Sequence, residues 1–420
     1  MKKTKERGIT LIALVVTIIV LLILAGVTIA LVLGQDGIFS KAEVAAEKTN
    51  EGQELDQVRL AVLEARTNNI VDKTDLKTEL ENSINKVYPG STVDQTGTGE
   101  DISYTITLPN GNTYEVDSSG NARKTIIIDT VKIPEGFHHV TGNTREEGIV
   151  VADATGDCEY VWIPVTKDEE GNPTKPYEET NGLLNGRLSI QLKRQAFGEY
   201  DYDLTNAYIE ETPEEHQASG YATAVAEDIT KFKESVIQNG GYFFGRYEVG
   251  IEGGTLNTSA TDGTRWIGGT LVCKAGQQVW NCIEQYKASQ LCRNIDTEKG
   301  YIGVTSDLIN SYSWDTAITY IQRFGTNTGY ANKFAIQDEQ GPFKTGEQND
   351  KQCNIYDMSG NCQEWSTETF CHGEGIGKTY HVYRGGAYNT INTPTKSRSS
   401  NFRSSGSTSM SFRPILYWNV

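Results

Sequence analysis

The residues best equipped for chemistry lie near the C-terminus of this 420-residue chain. Asn361 and Glu364 sit three positions apart, with the Cys362 carbonyl between them. Three hard oxygens offered from one loop suit a structural Ca²⁺. The same Asn and Glu can equally hydrogen-bond their own turn, and both readings stand. Residues 388–411 are rich in Asn, Ser, Thr and Arg. Tyr388, Asn389, Thr390, Asn392, Arg398, Asn401 and Arg403 form a candidate ligand-binding set. Such side chains hydrogen-bond adaptably at low desolvation cost. The alternative is a polar loop exposed for solubility.

Other chemistry finds no support. No Gly-x-Ser-x-Gly elbow and no His-Glu-x-x-His pair occurs. Gly377-Lys378-Thr379 hints at a phosphate loop, but His372 stands where the first glycine is required. The seven cysteines include no Cys-x-x-Cys, which argues against zinc. Cys158 stands alone in the sequence, and the other six fall between residues 273 and 371. One to three disulfides or a set of buried free thiols both remain open, and pairing does not follow from spacing. The formal charge of −17 argues against a nucleic-acid partner, which needs a basic face.

The elements that position these residues begin with an apolar run. Ile9 to Gln35 carries no charge, and Lys2, Lys3, Lys5 and Arg7 precede it. As a helix, residues 9–33 would reach about 37 Å, enough to cross a ~30 Å hydrocarbon layer. The basic flank places the N-terminus in the cytoplasm and the rest of the chain outside. Leu55, Val58, Val62 and Ala65 then mark one helical face. Leu76, Leu80, Ile84 and Val87 mark another, stopped by Pro89-Gly90. Tyr104, Ile106 and Leu108 alternate outward, and Tyr114 and Val116 alternate back, as in a β-hairpin. A polar stretch at 117–121 suggests a boundary. Beyond it come short strands near 148–152, 160–165 and 242–251, and one good helix from Trp314 to Phe324. Residues 166–235 are acidic and polar and read as an insertion, helical in part at 222–237.

Two family resemblances organise these pieces. The junction Glu6-Arg7-Gly8-Ile9-Thr10-Leu11-Ile12 resembles the cleavage site of type IV prepilins and pseudopilins. That resemblance implies cleavage by a prepilin peptidase between Gly8 and Ile9, methylation of the new N-terminus, and assembly with other pilin-like subunits. Ala13 stands where most pilins carry Glu, which points to a minor or tip subunit. Farther on, the run Asn354-Ile355-Tyr356-Asp357-Met358-Ser359-Gly360-Asn361-Cys362-Gln363-Glu364-Trp365 resembles a signature of the formylglycine-generating enzyme (sulfatase-modifying factor) superfamily. Val382-Tyr383-Arg384-Gly385-Gly386 and Ser411-Phe412-Arg413-Pro414 resemble its later motifs. The resemblance implies a C-type-lectin-like α+β fold and a Ca²⁺ site at the first motif.

The expected organisation is therefore α+β in three parts. Residues 1–8 form a leader, 9–123 a long pilin-like transmembrane helix with a small α+β head, and 124–420 the lectin-like domain with its acidic insertion near 166–235. Sulfatase-activating members of the family hold copper with two cysteines just after the Arg-Gly-Gly motif. Ungapped alignment puts Thr390 and Thr395 there, and no Cys lies beyond Cys371. A hydroxyl does not replace a thiolate as a soft-metal ligand. Neither copper nor the iron of other members is expected. The leading expectation is a single-pass membrane protein, possible as a pilus or pseudopilus component, that displays a non-catalytic domain for adhesion to a surface glycan or protein. An enzyme of unrecognised chemistry on the same fold is one alternative. A structural minor pilin is the other.

Overall fold

In a computed structural model, the described residues are 38–96, 102–166, 183–184, 187–188, 190–198, 204, 207–210, 228–257, 265–338, 341–371, 379–401 and 407–420. The expected processing site at Gly8 and Ile9, the apolar run to residue 33, and Arg403 lie outside them. Among the described residues, no helix is long and apolar enough to cross a membrane. The chain divides after Thr125 into two compact units.

The first unit packs two helices on a small sheet. Helix α1 (Ile38–Asp72) buries Val58, Ala61, Val62 and Ala65 on one face, and leaves Leu60, Leu63, Ile70 and Val71 exposed. Helix α2 (Leu76–Val87) buries Leu80 and Ile84. The Asp75 side chain caps it by accepting the Thr78 N–H at 3.0 Å. Strands β1 (Thr92–Thr96), β2 (Ser103–Thr107), β3 (Thr113–Val116) and β4 (Ala122–Ile128, divided at the unit boundary after Thr125) follow in antiparallel order, with Tyr104, Ile106, Tyr114 and Val116 turned into the core. The alternation read from sequence is thus the hairpin β2–β3, with Tyr104 opposite Val116.

The second unit is built on two main sheets, with smaller two- and three-stranded ones beside them. Its larger sheet contains β5 (His138–Thr141), β6 (Val150–Ala152), β7 (Glu159–Pro164), β8 (Gly241–Gly245), β9 (Val304–Leu308) and β14 (Pro414–Trp418). Their spatial order is β9-β14-β8-β7-β6-β5, all antiparallel. Helices α3 (Ile229–Asn239), α4 (Gln285–Lys299) and α5 (Ser311–Phe324) pack against it. Tyr160, Tyr242, Phe243, Phe244, Trp314 and Ile415 fill the core. The second sheet joins β10 (Gln363–Cys371), β11 (Thr379–Arg384) and β12 (Arg398–Asn401) antiparallel, and β13 (Met410–Phe412) runs parallel beside β10. The expected strand 242–251 is broken at Arg246–Val249, where the chain turns to a separate strand at Gly250–Glu252.

The acidic stretch 166–235 is not a simple surface excursion. Among its described residues, 190–198 lie along α5. The Lys193 N–H donates to Thr316 Oγ1 at 3.4 Å, and the Gln195 N–H to Asp315 Oδ2 at 2.9 Å. Tyr208–Ile209 adds an edge strand to β10. The helix expected at 222–237 runs from Ile229 to Asn239, capped by the Asp228 carboxylate and by left-handed Gly240.

Candidate functional site

The loop before β10 is fixed by its own polar groups. Cys353, Asn354, Asp357 and Asn361 all hold positive φ, a region that Asn and Asp enter more readily than most residues. The Asp350 carboxylate accepts the N–H groups of Asp357 (2.9 Å) and Ser359 (3.2 Å) and the Ser359 hydroxyl (3.0 Å). Asn354 donates to the Glu147 and Gly148 carbonyls at 3.1 and 2.8 Å. Gly360 is required by close approach, since a Cβ there would stand 2.6 Å from that of Ala335.

This loop delivers Asn361 and Glu364 into a buried acidic cluster. Glu364 does not face an open coordination position. Arg413 Nε donates to its two oxygens at 3.1 and 2.9 Å, and both side chains are fully buried. Arg413 also donates to the Gly245 and Tyr356 carbonyls at 2.8 and 2.9 Å. Burial opposes the Arg413 charge, but Glu364 outweighs it and holds the guanidinium above its ordinary range. The Asn361 amide donates to Glu248 and, at 3.1 Å, to the Phe343 carbonyl. Cys362 is buried and points its thiol at the Thr408 carbonyl, 3.8 Å away. Asn361 Oδ1, Glu248 Oε2 and Asp357 Oδ1 are buried without a hydrogen-bond partner. Burial first, and then the neighbouring carboxylates, push Glu248 and Asp357 well above the usual carboxylate range. Among the described residues, no three His, Cys, Asp or Glu side chains converge as a metal-ligand set.

A second ionic cluster ties α5 to the smaller sheet. Arg384 and Arg398 are direct partners across β11 and β12. Arg384 Nη2 reaches Asp315 Oδ1 at 2.6 Å, while Arg398 contacts the other Asp315 oxygen and sets its Nε 3.1 and 3.2 Å from Glu368. Arg194 also donates to Glu368. Burial alone would raise the Glu368 carboxyl, but Arg398, Arg384 and Arg194 together hold it below its usual range. Beside them, burial and Glu368 push Glu210 up to about 7. Glu210 accepts the Ser311 N–H at the start of α5 (2.6 Å) and the Thr367 hydroxyl (2.8 Å). Arg398 therefore does not belong to an accessible binding set. It is 2 % exposed and spent on internal carboxylates.

The rest of the expected binding set separates by exposure. Tyr388 is mostly buried, and its hydroxyl lies 3.2 Å from that of Thr408. Asn389 and Asn392 are exposed, and Thr390 is half-buried. Asn401 ends β12 opposite His381. Segment 331–338 runs beside 388–396. The Asp338 N–H donates to the Tyr388 carbonyl at 2.9 Å, Gln337 Nε2 to the Thr390 carbonyl at 2.7 Å, and the Thr395 N–H to the Lys333 carbonyl at 3.0 Å. Phe334 bridges Pro394. These two paired segments expose Phe334 (51 %), Ile336 (44 %) and Ile391 (79 %). The candidate set read from sequence includes the exposed Asn389 and Asn392 but not Phe334 and Ile336, which lie about fifty residues before the Arg384-Gly385-Gly386 motif.

Residues 282–414 match the family model described as the sulfatase-modifying factor enzyme 1-like domain. The chain carries a domain of that superfamily. A comparison with curated proteins found no match. Among solved structures, a crystal structure of CarF shares 14 % identity, covering 33 % of this chain and 67 % of that one, with a TM-score of 0.26. Treponema denticola variable protein 1 shares 12 % identity, covering 77 % of this chain and 99 % of that one, with a TM-score of 0.23. Neither likeness carries structural argument at such scores.

Within the sulfatase-modifying-factor-like domain, the Gly385-Gly386 turn packs where side chains have no room. Gly385 has φ of +75°, and a Cβ on Gly386 would meet the Thr393 carbonyl at 2.5 Å. The two threonines that follow are occupied in holding this turn. The Ala387 N–H donates to Thr390 Oγ1 at 2.8 Å. Thr395 is fully buried, its hydroxyl donating to the Lys333 carbonyl at 3.2 Å.

Proposed function

We propose that the second unit is a recognition module whose ligand surface is the face built by segments 333–338 and 388–394, and that its ligand is a protein. The observation that carries this reading is the exposure of Phe334, Ile336 and Ile391 among Asn389, Asn392 and Gln337. Apolar anchors ringed by adaptable amides are the composition of protein-binding patches. Thr390 and Thr395 support a binding role over oxidase chemistry, since both hydroxyls are engaged in holding the loop. The test is a display selection of proteins and peptides against the purified chain, run beside a glycan array. Saturable protein binders lost in Phe334→Ser and Ile391→Ser variants are expected. Binders indifferent to both substitutions, or binding to glycans alone, would overturn the reading.

The module is carried, on this proposal, by an apolar N-terminal segment cut between Gly8 and Ile9 by a prepilin peptidase. That places it at the outer face of the cell membrane among other pilin-like subunits. The support is the sequence junction and its basic flank. The N-terminal peptide of the native protein is expected to begin at Ile9 with one added methyl group. A peptide retaining Lys2 would leave a plain anchor and remove fibre assembly.

A structural Ca²⁺ beside Asn361 remains part of this reading, with a changed donor set. Glu364 is engaged by Arg413. Buried oxygens without hydrogen-bond partners include Asn361 Oδ1, Glu248 Oε2 and Asp357 Oδ1, from an amide and two carboxylates of the hard type that Ca²⁺ takes. The match over residues 282–414 favours one alternative function, an enzyme of that superfamily with unrecognised chemistry. Turnover that survives loss of the Phe334–Ile391 face would establish it.

A further inference from the structure

Cys158 stands alone in the sequence, yet the fold gives it a partner. It forms an isolated parallel bridge with Cys273. The Cys273 N–H donates to the Asp157 carbonyl at 2.7 Å, and the Glu159 N–H donates to the Cys273 carbonyl at 2.9 Å. Those two bonds put the two cysteines side by side on neighbouring strands. Strands so paired lie about 4.8 Å apart, inside the ~4.4–6.8 Å Cα spacing that a disulfide spans. Both residues are fully buried. Residues directly opposite on paired strands turn their side chains to the same face of the pleat, and the Cys158 thiol adds to the rise of the Cys273 thiol.

We propose that Cys158 and Cys273 are a disulfide-forming pair, closed when the chain folds in an oxidising compartment. The reaction balances with an exogenous disulfide such as oxidised glutathione. Two protein S–H bonds and the glutathione S–S bond break, one protein S–S bond forms, and two glutathione thiols leave with the two protons. The bond would tie the edge of β7 to the strand at Thr270–Val272, which lies more than one hundred residues farther along the chain. Closing so long a loop restricts the unfolded chain strongly. Cys292 of α4 is the competitor, a buried thiol that adds to the rise of Cys273 and is itself raised by Cys158. Burial pushes the thiols of Cys273 and Cys292 well up. Cys273 is then slow to exchange in the folded chain, and the bond forms most readily during folding. The inference does not depend on what the exposed face binds.

The test refolds the purified full-length chain from denaturant in a glutathione redox buffer. Remaining thiols are then blocked with iodoacetamide and the peptides are mapped without reductant. A joined peptide containing Cys158 and Cys273, released by dithiothreitol, is the expected result. Reductant should also lower the thermal midpoint of the oxidised protein by several degrees and leave the Cys158→Ser/Cys273→Ser protein unchanged. Carbamidomethyl groups on both cysteines, or a joined peptide pairing either one with Cys292, would overturn the proposal. The peptide map uses the unmutated chain, so it decides the matter even if the double variant does not fold.

Discussion

Arg413 and Glu364 meet where neither reaches water, so removing either leaves the other buried without its main counter-charge. Glu364→Ala is expected to destabilise the second unit by about 3–5 kcal/mol. The double replacement Glu364→Leu/Arg413→Met should cost much less, and urea unfolding of the three proteins measures both. Glu210 makes a prediction of the opposite kind. Its folded carboxyl is raised to about 7, while an unfolded one titrates near 4.5. Between these values the folded state holds the extra proton, so stability falls as pH rises, by up to about 3 kcal/mol. Glu210→Gln should flatten the stability profile from pH 5 to 7, and an unchanged slope would reject that origin. For Ca²⁺, addition should raise the melting temperature and chelation lower it, with Asn361→Ala insensitive to both. Isothermal titration showing no heat would remove the ion. Arg384 and Arg413 stand in the motifs at 382–386 and 411–414, and a guanidinium in a core motif must find acceptors. Arg398 was not legible as a buried donor, because a polar loop composition does not reveal that β12 sets it opposite Arg384.

At the scale of elements, α5 organises the second ionic cluster, and its start is held by side chains. Asn310 accepts the Ser313 N–H at 2.8 Å, and Ser313 Oγ receives the Asn310 N–H at 3.0 Å, a reciprocal capping box. Asn310→Ala is expected to cost about 1–2 kcal/mol. It should also shift the Glu210 titration read by NMR, since both groups serve the same helix end. Trp314–Phe324 was readable from its apolar face. Helix α4 escaped notice for a physical reason. Its buried side includes Gln285 and Ser289 among Ala288, Cys292 and Ile295, so the apolar stripe is diluted. Gln285 is tolerated there because it donates to the Ser366 carbonyl and meets His381. The 190–198 strap escaped for a related reason. Its ties to α5 use backbone N–H groups and long side chains, which leave no periodic apolar signal.

For the whole molecule, each unit has its own apolar core. One is gathered around Val62, Ile84, Ile106 and Tyr114, the other around Tyr160, Phe243, Trp314 and Ile415. The alternation in β2 and β3 made the first legible, while the second was visible only as motifs. Strands β8, β9 and β14 lie far apart in sequence, and short buried strands carry no alternation. A unit with its own core needs no other to close it. The fragment Ile126–Val420 is therefore expected to unfold in one cooperative transition, at the midpoint its core shows in the full chain. Calorimetry of both proteins measures this. Matching midpoints would mean that the recognition face is held by the second unit alone, and that its ligand can be sought with the fragment. A fragment that melts without cooperativity would mean that residues before 126 complete the fold, and every binding experiment would then require the full chain.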